Sequence, residues 1–275
     1  MTILHALILG IIQGATEFLP ISSSGHLALL PWWFGWEIPN NIVFVVAVHL
    51  GTLVAVVLYF WEDWLGIARG AWELVSHRRV NSAESRLFLA IVIGSLPIAL
   101  VGAFLSQVLD QVFETPAVVA LFLLVTAALL TFSERKSVGD AGHFRHLENI
   151  RWQDALFVGL AQLIALLPGI SRSGSTIAAG LFRGIDRTDS ARFSFLLGTP
   201  AILGAGLVTV LHANEAMPAA IDPLPILVGF GSAAVVGYLA IALLLNVVRR
   251  HRLYGFAAYC VIFATLSLGA VIIGR

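Results

Sequence analysis

Apolar residues run almost unbroken over 42–60, 87–105, 117–132, 193–211, 224–248 and 253–274. A helix rising 1.5 Å per residue needs about 20 mainly apolar residues to cross a bilayer. These runs predict six membrane-spanning helices, with 117–132 extending into a flank to gain length. Two further stretches, 1–36 and 155–182, are apolar but interrupted. Pro20 and Pro168 remove amide donors and stop helices there. Gly14, Gly25, Gly169 and Gly174 allow tight turns and close backbone approach. The first stretch lacks the basic leader and small-residue cleavage site of a signal peptide.

Composition agrees with that pattern. Hydrophobic types make up 59% of the 275 residues and charged types 12%, against about 25% charged in a soluble domain. Too little polar surface is available for a soluble enzyme, a nucleic-acid binder or a disordered chain. The single cysteine, Cys260, excludes a disulfide framework or a cysteine-based metal cluster. Lys+Arg and Asp+Glu are equal at 16 each, so net charge points to no polyanionic partner. The basic residues are nevertheless sorted. They fall in 61–86, 133–154, 183–192 and 249–252, leaving only Arg172 and the terminal Arg275 elsewhere. Linkers 37–41, 106–116 and 212–223 carry acids instead: Glu37, Asp110, Glu114, Glu215 and Asp222. The positive-inside rule makes the basic segments cytoplasmic and the acidic ones external. Residues 155–182, with basic flanks on both sides, must enter the membrane and return.

An internal repeat settles the other interrupted stretch. At an offset of 149, Gly10, Gln13, Ile21, Ser22, Ser24 and Gly25 match Gly159, Gln162, Ile170, Ser171, Ser173 and Gly174. Leu50-Gly51-Thr52 is echoed by Leu197-Gly198-Thr199. Each half then holds one interrupted hairpin followed by three spans, an odd number, so the halves have opposite orientation. The predicted fold is an all-α integral membrane protein with an inverted-topology repeat, each half one re-entrant helical hairpin plus three transmembrane helices. It forms a single polytopic domain: repeat 1 over about 1–132, a cytoplasmic linker over about 133–154, and repeat 2 over about 155–275. In this architecture two broken elements meet near the midplane and form the site.

The hairpin tips carry the candidate chemistry. The first offers Gln13, Glu17, Ser22, Ser23, Ser24 and His26; the second offers Ser171, Arg172, Ser173, Ser175 and Thr176. Gln13 and Glu17 are four apart and share a helix face. An ionisable group inside an apolar segment is expensive and marks a functional candidate. Arg172, flanked by hydroxyls at a helix start, is a receptor for phosphate oxyanions. A carboxylate, an imidazole, hydroxyls and a guanidinium suit phosphoryl transfer. The same groups in a transporter would bind an anion without cleaving it, and the residues alone leave both readings open. The simpler reading of His49 is a hydrogen bond to a neighbouring helix, with cavity lining as the other. Asp186, Arg187, Asp189 and Arg192 read as a solvated turn. Trp32, Trp33, Trp36, Trp61 and Trp64 fit interfacial aromatic belts.

The segments QGATEFLPISSSGH, PGISRSGST and ARFSFLLGTPA closely resemble the bacterial undecaprenyl-diphosphatase family linked to bacitracin resistance, along nearly the whole chain. The resemblance implies removal of the terminal phosphate from undecaprenyl diphosphate at the outer face of the cytoplasmic (inner) membrane. That reaction recycles the lipid carrier for peptidoglycan and other wall polymers. The resemblance also implies a divalent cation, Mg2+ or Ca2+. Partners would be the polyprenyl diphosphate, membrane lipids and, as an option, a second copy in a homodimer. A flippase or transporter of a polyprenyl phosphate or other anion is the alternative. By the family's motifs, Glu17 serves metal or acid/base work, Arg172 the diphosphate, His26 proton transfer, and Ser23 nucleophilic attack, with water as its competitor. Gln13, Ser22, Ser24, Ser171, Ser173 and Thr176 are the implied substrate-binding set. Three positions depart from the family pattern. Gln13 stands where many members have Glu, His49 where Gln is usual, and Tyr259-Cys260 where Tyr-Arg is common.

Overall fold

The computed structural model describes residues 1–36, 42–113, 115–139, 144–213 and 222–274, without the side chains of 103–113, 138–139 and 209–213. The acidic linker residues Glu37, Glu114 and Glu215, and the side chain of Asp110, lie outside the described part. Among the described residues are eleven helices: α1 (Ile3–Phe18), α2 (Ser23–Phe34), α3 (Ile42–Tyr59), α4 (Trp61–His77), α5 (Ala83–Phe113), α6 (Pro116–Gly139), α7 (Trp152–Ile164), α8 (Arg172–Phe182), α9 (Arg187–Ala213), α10 (Pro223–Arg250) and α11 (Tyr254–Ile272). The six long apolar ones, α3, α5, α6, α9, α10 and α11, are able to span a membrane and cover the six predicted runs. The 117–132 run gains its length within α6, as expected.

Helix α4 was not foreseen. Its segment has the charge of a linker, yet it buries Gly66, Ile67 and Gly70 while exposing Trp61, Leu65, Trp72 and Val75. A helix that is charged, short and apolar on its outer face suits the membrane surface rather than its interior.

Four helices are too short to cross. At 1.5 Å per residue α1 and α7 reach about 24 and 20 Å, short of the roughly 30 Å hydrocarbon core. Both stop before their prolines, and both are followed by a helix that returns. The rings of His5 and Trp36 stack at 4.7 Å, so 1–36 ends where it began. Asp154 Oδ1 accepts from Arg183 Nε at 2.7 Å, so 152–183 does the same. The two returning helices start alike. Ser22 Oγ accepts from Gly25 N–H at 3.2 Å and Ser171 Oγ from Gly174 N–H at 3.0 Å, each an N-cap that satisfies an otherwise orphaned donor.

Glycine contacts set the depth of both tips. Gly10 lies on Gly229 and Ser232, and Gly14 on Ala233 and Gly237, so closely that a Cβ would overlap α10. Glu17 is thereby level with the middle of α10. Gly159 lies as closely on Gly94 of α5.

The basic segments meet at one end of the bundle. Asp154, fully buried, accepts from Arg145 and Arg183 at 2.7 Å each. Buried Glu134 takes both terminal nitrogens of Arg187 at 2.6 Å and the Leu253 N–H at 2.8 Å. Arg192 pairs with Asp63, and Asp189 accepts from the Leu147 N–H at 3.0 Å. The 186–192 segment is thus not a solvated turn. Its partners, tens of residues away or more in sequence, are what hold its charges.

Burial pushes the Asp154 carboxyl up, but the hydrogen bonds from Arg145, Arg183 and the Arg151 N–H outweigh it and hold the group below its usual range. A carboxylate depressed in the folded state stabilises fully above its unfolded pKa of about 4, and that stability is lost as pH falls through the folded value. Asp154→Asn should therefore lower the melting temperature in detergent at neutral pH. The gap from wild type should narrow as the buffer is taken below about pH 4; a gap independent of pH would contradict this assignment.

Candidate active site

The two tips join at one ion pair. Glu17, in the last turn of α1, accepts from Arg172 Nη2 at 2.8 Å through Oε1. Its Oε2 accepts from Ser23 Oγ at 2.6 Å and from Gln13 Nε2 at 3.0 Å. Glu17 and Arg172 side chains are only 5% and 14% exposed, so neither charge could be held there alone at reasonable cost. Arg172 opens α8, and its Nη1 points to the Ser194 carbonyl at 3.4 Å. The guanidinium occupies the space in which a Cβ on Gly198 would sit. Phe18 and Phe195, next in sequence to Glu17 and Ser194, pack edge to face at 5.3 Å and brace both backbones.

Polar contacts tie tip to tip. Ser173 Oγ donates to the Leu19 carbonyl at 3.2 Å, and Gly169 N–H donates to Ser24 Oγ at 3.4 Å. Thr126 of α6 accepts from the Ser171 N–H at 2.9 Å and donates to the Gly169 carbonyl at 3.0 Å. Ser22 adopts φ 71°, a left-handed conformation that is uncommon outside glycine and is held by its cap bond.

A cavity of about 310 Å³ lies beside the pair. Thr16, Glu17, Ser22, Ser23, Ser24, Ser171 and Arg172 form its polar part; Val45, Leu50, Ile98, Ile202, Ala205 and Gly206 form much of its apolar part. Gly206 is nineteen residues past Arg187, about 28 Å along α9, so the cavity lies away from the basic end.

The sequence-derived candidates separate into three places. Glu17, Ser22, Ser23, Ser24, Ser171 and Arg172 line the cavity. Gln13, Ser173 and Thr176 stand behind it: Gln13 holds Glu17, and Thr176 donates to the Arg172 carbonyl at 2.7 Å and shares a 2.6 Å bond with Ser194 Oγ. His26 is not among the lining residues. It is 2% exposed, with Nδ1 donating to the Ser22 carbonyl and Nε2 bonded to the Tyr259 hydroxyl, both at 2.7 Å. Its ring stacks on Phe263 at 4.5 Å.

The imidazole that does line the cavity is His49. Its Nδ1 donates to the Val45 carbonyl of its own helix at 2.8 Å, and Nε2 lies 3.9 Å from Glu17 Oε2. The neighbouring-helix bond read from the sequence is absent; the bond is within α3 and leaves Nε2 free to face the site. Sequence reasoning also passed over Thr126, Gly198 and Gln162, which lines the cavity as well. Gly198 and Gln162 carried a signal, since both recur in the repeat; Thr126 carried none.

The family model for Bacitracin resistance protein BacA matches residues 6–266. This chain belongs to the BacA family. Among its relatives, the undecaprenyl-diphosphatase of Thermomicrobium roseum is 45% identical over 282 residues, covering 99% of this chain and 98% of the relative. That of Desulforudis audaxviator is 41% identical over 269 residues, covering 98% and 97%. The undecaprenyl-diphosphatase of Methanosphaera stadtmanae is 38% identical over 283 residues, covering 98% of each. These likenesses run through both tips and all six long apolar helices, so the site described above lies within the shared part of the family.

Proposed function

We propose that this chain hydrolyses undecaprenyl diphosphate to undecaprenyl phosphate and inorganic phosphate, recycling the lipid carrier of wall-polymer synthesis. The observation that carries the reading is the buried Arg172–Glu17 pair with the Ser23 hydroxyl on the same carboxylate. It stands in a cavity with an apolar wall, in a chain whose relatives bear that activity's name. The fold reads as a single domain of two inverted repeats, each with a re-entrant hairpin. Support comes from the matched serine caps, from the glycine contacts that seat α1 and α7, and from hairpins that return to opposite ends. With the basic end cytoplasmic by the positive-inside rule, the cavity faces the exterior of the bacterial inner membrane.

In the proposed reaction, Arg172 binds the diphosphate oxygens and offsets the charge that redistributes over them. Ser23 Oγ attacks the terminal phosphorus and its proton passes to Glu17, to which it already donates. The bond to the bridging oxygen breaks and undecaprenyl phosphate leaves. Water then attacks the phosphoserine and releases inorganic phosphate, returning the proton to Ser23. Direct attack by a water on Glu17 is the competing route. His49, with Nδ1 fixed and Nε2 free, is placed to exchange protons with Glu17. In this reading the imidazole role goes to His49 instead of His26, whose Nδ1 is bound to the Ser22 carbonyl at the start of its own helix and whose Nε2 is bonded to Tyr259 of α11.

A divalent cation, Mg2+ or Ca2+, fits this donor set only together with substrate. Among the described residues no three acidic, His or Cys side chains gather as ligands. A carboxylate offers about four acceptor positions, and three protein donors already address Glu17. Glu17 would hold the ion with its remaining position, and phosphate oxygens and water would complete the shell, as is usual for Mg2+. When bound it would neutralise charge on the diphosphate.

Phosphate release from a polyprenyl diphosphate in detergent tests the reading. Glu17→Ala and Arg172→Ala should each lose at least about a hundredfold in kcat/KM; full turnover in either would reject the site. His49→Ala should lower kcat by about 10²-fold, while His26→Phe should mainly lower the melting temperature; the reverse pattern would return the proton to His26. Rapid acid quenching should trap phosphate on Ser23, and Ser23→Ala retaining most activity would favour water attack.

A further inference from the structure

Among the buried polar groups that the mechanism leaves without work, one lines the cavity. Gln162, near the end of α7, is fully buried, and neither polar atom of its amide has a hydrogen-bond partner among the described residues. It lines the cavity next to Ala165, Leu166 and Ile170, which offer it no side-chain partner. An unmet buried donor or acceptor costs the fold the full desolvation of that group. Two N–H donors and a carbonyl are unmet here. Its repeat counterpart Gln13 differs, because Gln13 Nε2 holds Glu17.

The demand for donors at this site is real. A diphosphate carries several anionic oxygens, and Arg172 is the only cationic residue among those lining the cavity, since His49 is charged only when protonated. Four backbone amides of the tips are already taken. Gly25 and Gly174 donate to the capping serines, Gly169 to Ser24, and Ser171 to Thr126. A side-chain donor beside Arg172 would add to what the remaining helix-start amides of α2 and α8 can give.

We propose that Gln162 is a phosphate-binding residue, its Nε2 amide donating to a phosphoryl oxygen of the substrate's diphosphate. This rests on the diphosphatase reading above and adds a contact from α7 to those of Glu17, Ser23 and Arg172. The geometry makes Gln162 costly to the empty fold and useful only when the cavity is filled.

Titration of the full-length protein in detergent with a non-hydrolysable farnesyl methylenediphosphonate tests it, with melting temperatures recorded without ligand. Gln162→Leu should bind about tenfold to a hundredfold more weakly, yet melt at or above the wild-type temperature because the orphaned amide is gone. Gln162→Glu, which keeps size but offers only acceptors and a negative charge, should bind no better than the leucine variant. Gln162→Met serves in place of leucine should the branched chain disturb packing. Wild-type affinity in the leucine or methionine variant would show that the amide meets only water, and would overturn the proposal. Wild-type affinity in Gln162→Glu alone would show that the amide accepts rather than donates, and would also overturn it. Failure of the wild type itself to bind the analogue would instead sink the diphosphatase reading.

Discussion

Glu17 and Arg172 face each other at 2.8 Å halfway down an apolar bundle, and most of the local architecture answers the cost of putting them there. An isolated buried charge is penalised by several kcal/mol even after relaxation. Each is admitted because the other is present and because hydroxyls, an amide and a carbonyl complete its hydrogen bonds. A continuous helix can carry charged side chains to this depth but not helix ends, since its own lie at the membrane surfaces. Broken helices can, provided their free N–H groups are met inside the protein. Ser22 and Ser171 each meet one of them, which gives these serines a structural task before any serine is asked to react. The same arrangement makes the empty site self-consistent: Arg172 rests on Glu17 until an anion competes for its remaining donors.

Depth and aperture follow from packing at a distance. Glycines at 10, 14, 94 and 159 let helices approach until backbones touch, and this fixes how far each tip reaches. The buried carboxylates Asp154 and Glu134 lock the opposite end through Arg145, Arg183 and Arg187. With that end tied by ion pairs, the remaining room lies between α3 and α9 beside the tips. A polar end held by ion pairs and an apolar cavity flank suit a lipid with a charged headgroup and a hydrocarbon tail.

The long spans, the two interruptions and most of the tip residues were legible because each has a local cause: apolar length, proline, or a charge inside an apolar run. What was not legible is direction. His26 has the right chemistry, but α11 supplies Tyr259 and Phe263 to turn it away, and nothing near position 26 announces that. His49 was undervalued because a bond to its own helix and a place in the cavity are compatible, which spacing alone does not reveal. Arg187 and Arg192 looked solvated because Glu134 and Asp63 are far off in the chain. Helix α4 was hidden by its charge, which is that of a surface helix as much as of a linker.

The repeat explains the site best where it fails. At the offset of 149, Glu17 corresponds to Leu166 and Ser23 to Arg172. Had the acid been repeated, a second carboxylate would face the diphosphate and repel it. Had the arginine been repeated, the hydroxyl on Glu17 would be gone. The shared residues, Ser22 with Ser171 and Gly25 with Gly174, build two equivalent caps. The divergent ones give one tip an acid with a hydroxyl bonded to it and the other a cation. The site is thus polarised by the residues in which the two matched segments differ, Glu17 of one meeting Arg172 of the other. The pair at 13 and 162 is intermediate: the residue type is kept, but one amide serves Glu17 and the other has no partner among the described residues. Identity there marks a common backbone environment, and the difference in partners marks which half binds the acid and which is left to meet the anion.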